Sequence, residues 1–289
     1  MIYIKTISKP LAYKYELNLV KLLTDKGYYG DLKKSKRSIV NKIISKYNNS
    51  HFPHINFKQA MSIRSSYMRE KIKKNNSKLE KNRRKIIGNF LLKKNVLKIT
   101  KQYDIPPMHV IKFYFKSEGY DKKETKDILD LILNKNKTKE AIDKYELEKW
   151  EISQIQIANN MDSFIRADNT RTREKAENFE NVLGKYLKKH KIKFKTEEEL
   201  KREQKKKYGK PINTPDFLIK SDLYIDGKKI NWIDAKNYYG ANTDHINENI
   251  ENQTKKYIDK FGFGALVFSL GFSQKLRMKN ILMLDYRYI

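Results

Sequence analysis

Three side chains in the last third of the chain have the types and spacing to act together: Asp216, Asp234 and Lys236. Asp216 follows Pro215 and opens the apolar run DFLI, and Asp234 and Lys236 close the run INWIDAK. Alternate side chains of a strand fall on one face, so Ile230, Trp232, Asp234 and Lys236 point the same way. The single-residue gap therefore lets a carboxylate and an ammonium work on one substrate. Two or three acids with one lysine are what phosphodiester hydrolysis requires. Carboxylates hold a divalent cation that polarises the phosphoryl group and lowers the pKa of a bound water. A lysine positions that water or stabilises the charge that develops. Taken singly, Pro-Asp is a common turn dipeptide and D-x-K a common surface pair; their order along the chain gives them weight.

The elements that must position these groups are legible around them. Asp226-Gly227 is a hairpin signal between the two runs, expected to fold them together and bring Asp216 beside the D-x-K pair. Ahead of them, residues 174–190 read as an amphipathic helix. Phe179, Val182, Leu183, Tyr186 and Leu187 recur at helical spacing and define a stripe expected to be buried. Glu180 falls at the margin of that stripe, Glu177 further round and Glu174 on the opposite side. A carboxylate so placed needs a partner, either a metal ion or a lysine. Strand-like runs at 216–219, 222–225, 230–233 and 265–270, with helical patterns before and between them, predict an α/β unit over residues 161–289.

Residues 1–160 read as helical: 13–23, 35–47, and a longer helix from about 57 into the basic stretch 71–85. A short helix ending near 103, a turn at 104–107 and a proline-opened helix from 108 have the outline of a helix-turn-helix. An ordinary helical hairpin fits the same residues. Asp121 and Glu124 form a capping-box pattern for the next helix. His51 and His54 stand i, i+3 beside Pro53 with no further ligand in view, which reads as a loop.

Composition narrows the partners. The 63 basic against 34 acidic residues give a formal charge of +29. Such a surplus favours polyanions, because each cation set against a phosphate releases a counterion. Lys, Asn, Ile and Tyr are all abundant, as an AT-rich genome encodes by default, so part of the surplus is codon composition. The absence of cysteine excludes disulfides and thiolate zinc sites. No apolar run reaches signal-peptide length or the roughly 20 residues of a membrane span. The expectation is an intracellular protein, cytoplasmic or nuclear, neither secreted nor held in a membrane.

The run Thr214-Pro215-Asp216-Phe217 followed by Trp232-Ile233-Asp234-Ala235-Lys236 resembles the PD-(D/E)xK nuclease superfamily, and more narrowly its TPD family. Gln253 and Tyr257 match a Q-x-x-x-Y element, and residues 260–267 match an R-F-G-P-G segment, with Lys260 for the arginine and Phe263 for the proline. The resemblance covers roughly residues 176–272. It implies a restriction-endonuclease-like mixed sheet flanked by helices, preceded by an all-α, helix-turn-helix-like nucleic-acid-binding region. It further implies that Glu180, Asp216, Asp234 and the Ala235 carbonyl hold Mg2+ or Mn2+, that Lys236 acts on the water or transition state, and that Gln253 and Tyr257 orient the site or touch the substrate. A helix packing on the sheet would account for Gln253 and Tyr257 equally. The implied activity is endonucleolytic cleavage of nucleic acid, DNA ahead of RNA, with a protein partner or a second copy as further partners. A non-catalytic nucleic-acid-binding or scaffold protein that keeps the fold is the alternative, as is a helix-turn-helix regulator whose C-terminal part only dimerises.

Overall fold

The structure, a computed structural model, describes residues 1–134, 137–164 and 169–289, the last of these with side chains from residue 173 onward. In chain order the elements are β1 (Ile2–Ile4), α1 (Tyr13–Leu23), α2 (Lys34–Asn48), α3 (Phe57–Leu91), α4 (Val96–Tyr103), α5 (Pro107–Ser117), α6 (Lys122–Leu133), α7 (Thr138–Tyr145) and α8 (Lys149–Asn160). They continue with α9 (Asn169–Lys189), β2 (Phe194–Thr196), α10 (Glu197–Tyr208), β3 (Phe217–Ile219), β4 (Leu223–Ile225), β5 (Lys228–Lys229), β6 (Trp232–Lys236), α11 (Asp244–Phe261), β7 (Gly264–Phe268) and β8 (Ile281–Asp285). The chain is α/β and rich in helix.

β6, the strand of the D-x-K pair, is the middle of a mixed five-stranded sheet ordered β2-β3-β6-β7-β8. It pairs antiparallel with β3 through Phe217↔Ile233 and Leu218↔Trp232, and parallel with β7 through Asp234↔Leu266 and Lys236↔Phe268. β7 reads GALVF and is buried throughout, as expected of a strand covered on both faces. On one face Ile233 joins Phe179, Leu183 and Leu187 of α9, with Phe217, Ala265 and Val267, in a single apolar cluster. On the other, the fully buried Trp232 packs edge-on against Tyr257 of α11, ring centres 5.3 Å apart. Burying such a ring stabilises the fold by roughly 3 kcal/mol. Trp232 also explains Gly264: a Cβ there would lie 2.1 Å from the indole, so only glycine lets β7 pass. The indole Nε1 donates to the Gly262 carbonyl at 2.9 Å.

Asp226-Gly227 does make a hairpin turn, with φ of 46° and 76°. It does not join the runs that hold Asp216 and Asp234, as the sequence led us to expect. It links β4 to β5 in a separate three-stranded sheet ordered β1-β4-β5, while β3 and β6 pair directly. The reason lies at the other end of the chain: the N-terminal IYI runs parallel to β4, and the Asp226 carboxylate accepts hydrogen bonds from Thr6 N and Oγ1. A three-residue strand is too short to leave a periodic signal, so β1 was missed. The expected stripe of α9 also loses a member, because Val182 is 44% exposed.

A cut at residue 160 therefore does not describe the compact units. One comprises Met1–Leu23, Ser38–Tyr67 and Asp168–Ile289; the other comprises Thr24–Arg37 and Met68–Ala167. The first takes in N-terminal segments because β1 completes the small sheet and Leu11 N donates to Phe272 O at 2.8 Å. In the second, α4 to α8 close over a core that includes Phe90, Ile99, Ile111, Phe115, Ile128 and Ile155. The turn between α4 and α5 passes through Asp104 in the left-handed region, and the Asp121/Glu124 capping box opens α6. Among the described residues no helix is long and apolar enough to cross a membrane.

Candidate active site

The pairing of β3 with β6 places the two acids. Continuing the Phe217↔Ile233 register by one step sets Asp216 opposite Asp234, and directly opposed residues project to the same face. Asp216 Oδ2 accepts the Ala235 N–H at 2.7 Å, which locks the carboxylate against β6. Asp234 and Lys236 are both buried, at 1% and 8% exposure, and form an ion pair. Gln253 of α11 ties the pair together: Lys236 Nζ donates to its Oε1 at 2.6 Å, and its Nε2 donates to Asp234 Oδ1 at 3.2 Å. Tyr257, one turn further on, donates to the Thr214 carbonyl at 3.2 Å, steadying the residue two before Asp216.

Asp216 and Glu180 line a common cleft of about 510 Å3 together with Glu177, Glu197, Lys185 and Lys201. Burial and the charge of Asp234 push the Asp216 carboxyl well above the ordinary carboxylate range, with Glu180 adding to the effect. Glu180 is raised too, first by burial and then by Glu197 and Asp234. Burial opposes the charge on Lys236, but Asp234, with Tyr238 and Asp216, more than offsets it and holds the ammonium above its usual pKa. Asp216 and Glu180 are thus crowded by like charge even though Lys185, Lys188 and Lys201 also line the cleft. A divalent cation suits such a set, since Asp216 and Glu180 are destabilised as free anions. Among the described residues no three acids or histidines already converge as a finished metal shell.

Of the residues singled out in the sequence, Asp216, Asp234, Ala235, Lys236 and Gln253 are linked by contacts at one sheet face. Glu180 meets Asp216 across the cleft. Tyr257 acts at one remove, through Thr214 and Trp232. Glu197 was missed. It opens α10, its N–H donates to Asp216 O at 3.1 Å, and its carboxylate pairs with Lys201 at 2.6 Å. Only the pairing of β2 with β3 brings it there, and β2 is again three residues long. Tyr238 was also passed over; burial raises its hydroxyl pKa, Lys236 opposes the rise and Asp234 adds to it, so the ring stands within the field of the site.

Residues 144–287 match the model of a family described as "Protein of unknown function TPD sequence-motif". Among curated proteins, the chain is 36% identical over 115 residues to the uncharacterized protein L539 of Acanthamoeba polyphaga mimivirus, covering 38% of this chain and 40% of that protein. It is 32% identical over 109 residues to the CDAN1-interacting nuclease 1 of Xenopus tropicalis, covering 37% of this chain and 34% of that protein. The same nuclease of Danio rerio is 29% identical over 109 residues. The matches thus span 40% or less of these relatives' lengths. No solved structure matches the chain.

Proposed function

We propose that this chain is a metal-dependent nuclease of the PD-(D/E)xK type, with a restriction-endonuclease-like sheet, that hydrolyses phosphodiester bonds of nucleic acid, DNA ahead of RNA. The observation that carries the reading is the Asp216–Asp234–Lys236 face: two opposed carboxylates and one ammonium, cross-linked by Gln253 and bordered by Glu180. Distant similarity to proteins named nucleases supports it. Asp216, Asp234 and Glu180, with the Ala235 carbonyl, would hold Mg2+ or Mn2+. When bound, such an ion polarises the phosphoryl oxygen and makes water acidic enough to attack at neutral pH.

The protein's own groups have separable parts. Lys236 keeps its proton at Nζ, because Asp234 holds its pKa high. It therefore serves as a fixed positive charge and hydrogen-bond donor toward the phosphate, not as a base. Gln253 sets the direction of that ammonium. The Ala235 N–H fixes Asp216 Oδ2 and leaves Oδ1 for the cleft. The helical unit supplies backbone contacts more than base reading: α5 turns Met108, Val110, Ile111, Tyr114 and Phe115 inward, leaving Lys112 and Lys116 exposed. The name of the animal relatives also makes a protein partner part of this proposal.

Cleavage of labelled DNA and RNA with Mg2+ or Mn2+ tests the reading. Wild type should cut, and Asp234→Ala and Lys236→Ala should lose cutting while nucleic-acid binding persists. A wild type that binds tightly but cuts nothing under any of these conditions would make it a scaffold and end the proposal.

A further inference from the structure

The C-terminal ends of α10 and α11 are rich in lysine, and two of these lysines meet at one exposed ring. Tyr208 closes α10 with 46% of its surface exposed. Lys207 and Lys260 hold their ammoniums over that ring, 5.2 Å and 5.8 Å from its centre, and must swing aside for a base to stack there. Lys205, Lys206, Lys210 and Lys256 are exposed on the same two helices or just beyond α10. Among the described residues none of these four has an acidic partner. The surface is tied rigidly to the active strands. The buried Gln204 accepts hydrogen bonds from Ile212 N at 2.7 Å and Asn213 N at 3.0 Å, and donates to Asn213 O at 2.6 Å. Tyr257, one turn before Lys260, holds the next residue, Thr214. Residues 212–214 of the connection from Tyr208 to Asp216 are thus pinned.

A lysine cluster alone would suit any polyanion. An exposed aromatic among the lysines is more selective, because its face is useful only to a base that has left its own stack. Every base has such a face, so the contact is tolerant of sequence. We propose that this corner takes an unpaired stretch of the nucleic-acid substrate, one base stacking on Tyr208 while Lys207, Lys210, Lys256 and Lys260 meet the flanking phosphates. The proposal rests on the nuclease reading and names its substrate class: strands that carry unpaired bases, such as a flap or frayed end, in preference to uninterrupted duplex.

The test is binding by the full chain without divalent cation, so that affinity is read apart from cutting. Fluorescence anisotropy would compare a labelled DNA single strand, the RNA strand of the same sequence and the blunt duplex. Tyr208→Ala should weaken single-strand binding about 5- to 100-fold, the loss of one base–aromatic stack, and leave duplex binding unchanged. Tyr208→Trp should keep the wild-type affinity. Lys260→Ala should weaken all three and flatten the log–log salt slope by about 0.9 on the duplex and about 0.7 on the single strands, as the loss of one phosphate contact requires. A loss confined to DNA or to RNA would identify the strand that is taken. Single-strand affinity untouched by Tyr208→Ala, or reduced equally on duplex, would overturn the platform. A protein that cuts while Tyr208→Ala changes nothing loses only the platform. One that cuts nothing while Tyr208→Ala still lowers single-strand affinity loses only the nuclease reading.

Discussion

Two carboxylates, one in each compact unit, show how differently a protein can treat a half-buried acid. Asp104 sits in the turn between α4 and α5 and is surrounded by donors: Gly27 N at 2.7 Å, Lys71 Nζ at 2.7 Å and the Tyr29 hydroxyl at 3.2 Å. Burial works to raise its pKa, but Lys71 and Gly27 outweigh it and the carboxyl lies below its ordinary value. Asp216 has one backbone donor, faces two other carboxylates and lies well above its ordinary value. The first acid is arranged for the fold. The second is held against electrostatic preference, as groups destined for chemistry commonly are.

The largest effect that sharpens this contrast is on rate. Asp216→Asn should slow cleavage by about 10²–10³-fold, the scale of removing one preorganised electrostatic contact. The same variant should melt higher than wild type without divalent cation, by about 1 kcal/mol, because like charges are relieved while the amide oxygen keeps the Ala235 hydrogen bond. A variant that melts lower would break the comparison.

Asp104→Ala should do the reverse. Losing charge-assisted hydrogen bonds should destabilise the helical unit by about 2–3 kcal/mol, read by urea denaturation, with the chemistry at Asp234 intact. If it proved silent, Asp104 would not be the structural acid described here. Gln253→Ala should lower the turnover number about 10–100-fold with little change in KM, the usual cost of removing a group that orients catalytic side chains. A change in KM alone would place Gln253 in substrate binding instead.

The smallest effect is the pH dependence, and its sign differs between the two acids. Asp104 has a depressed folded pKa, so its contribution is present above the unfolded value near 4 and is lost as pH falls through the folded one. Asp216 has a raised folded pKa, so the folded state binds more protons and stability falls as pH rises from about 4 toward that value. Melting curves should show Asp104→Ala converging on wild type as pH falls below about 4, and Asp216→Asn gaining on wild type as pH rises above about 4.

Much of the site was legible because strand geometry is local. The two-residue period of INWIDAK sets Trp232, Asp234 and Lys236 on one face whatever else the chain does, and the margin position of Glu180 follows from the helical repeat. The exposed Val182 shows the limit of that logic: periodicity names a face, but only the neighbour's footprint decides how much of it is covered.

What the sequence determined by itself was the chemical inventory, meaning which acids and which lysine could share a face, together with the α/β character of the C-terminal part and the helical character of the rest. Tertiary structure alone decided that β3 pairs with β6 in the register opposing Asp216 to Asp234, that Gln253 reaches both members of the D-x-K pair, and that Glu197 joins the cleft. It also decided that the N-terminal IYI completes a sheet with residues more than 200 positions away. These are long-range pairings of strands of three to five residues, whose stability comes from the partners they meet and not from any preference the segments carry alone.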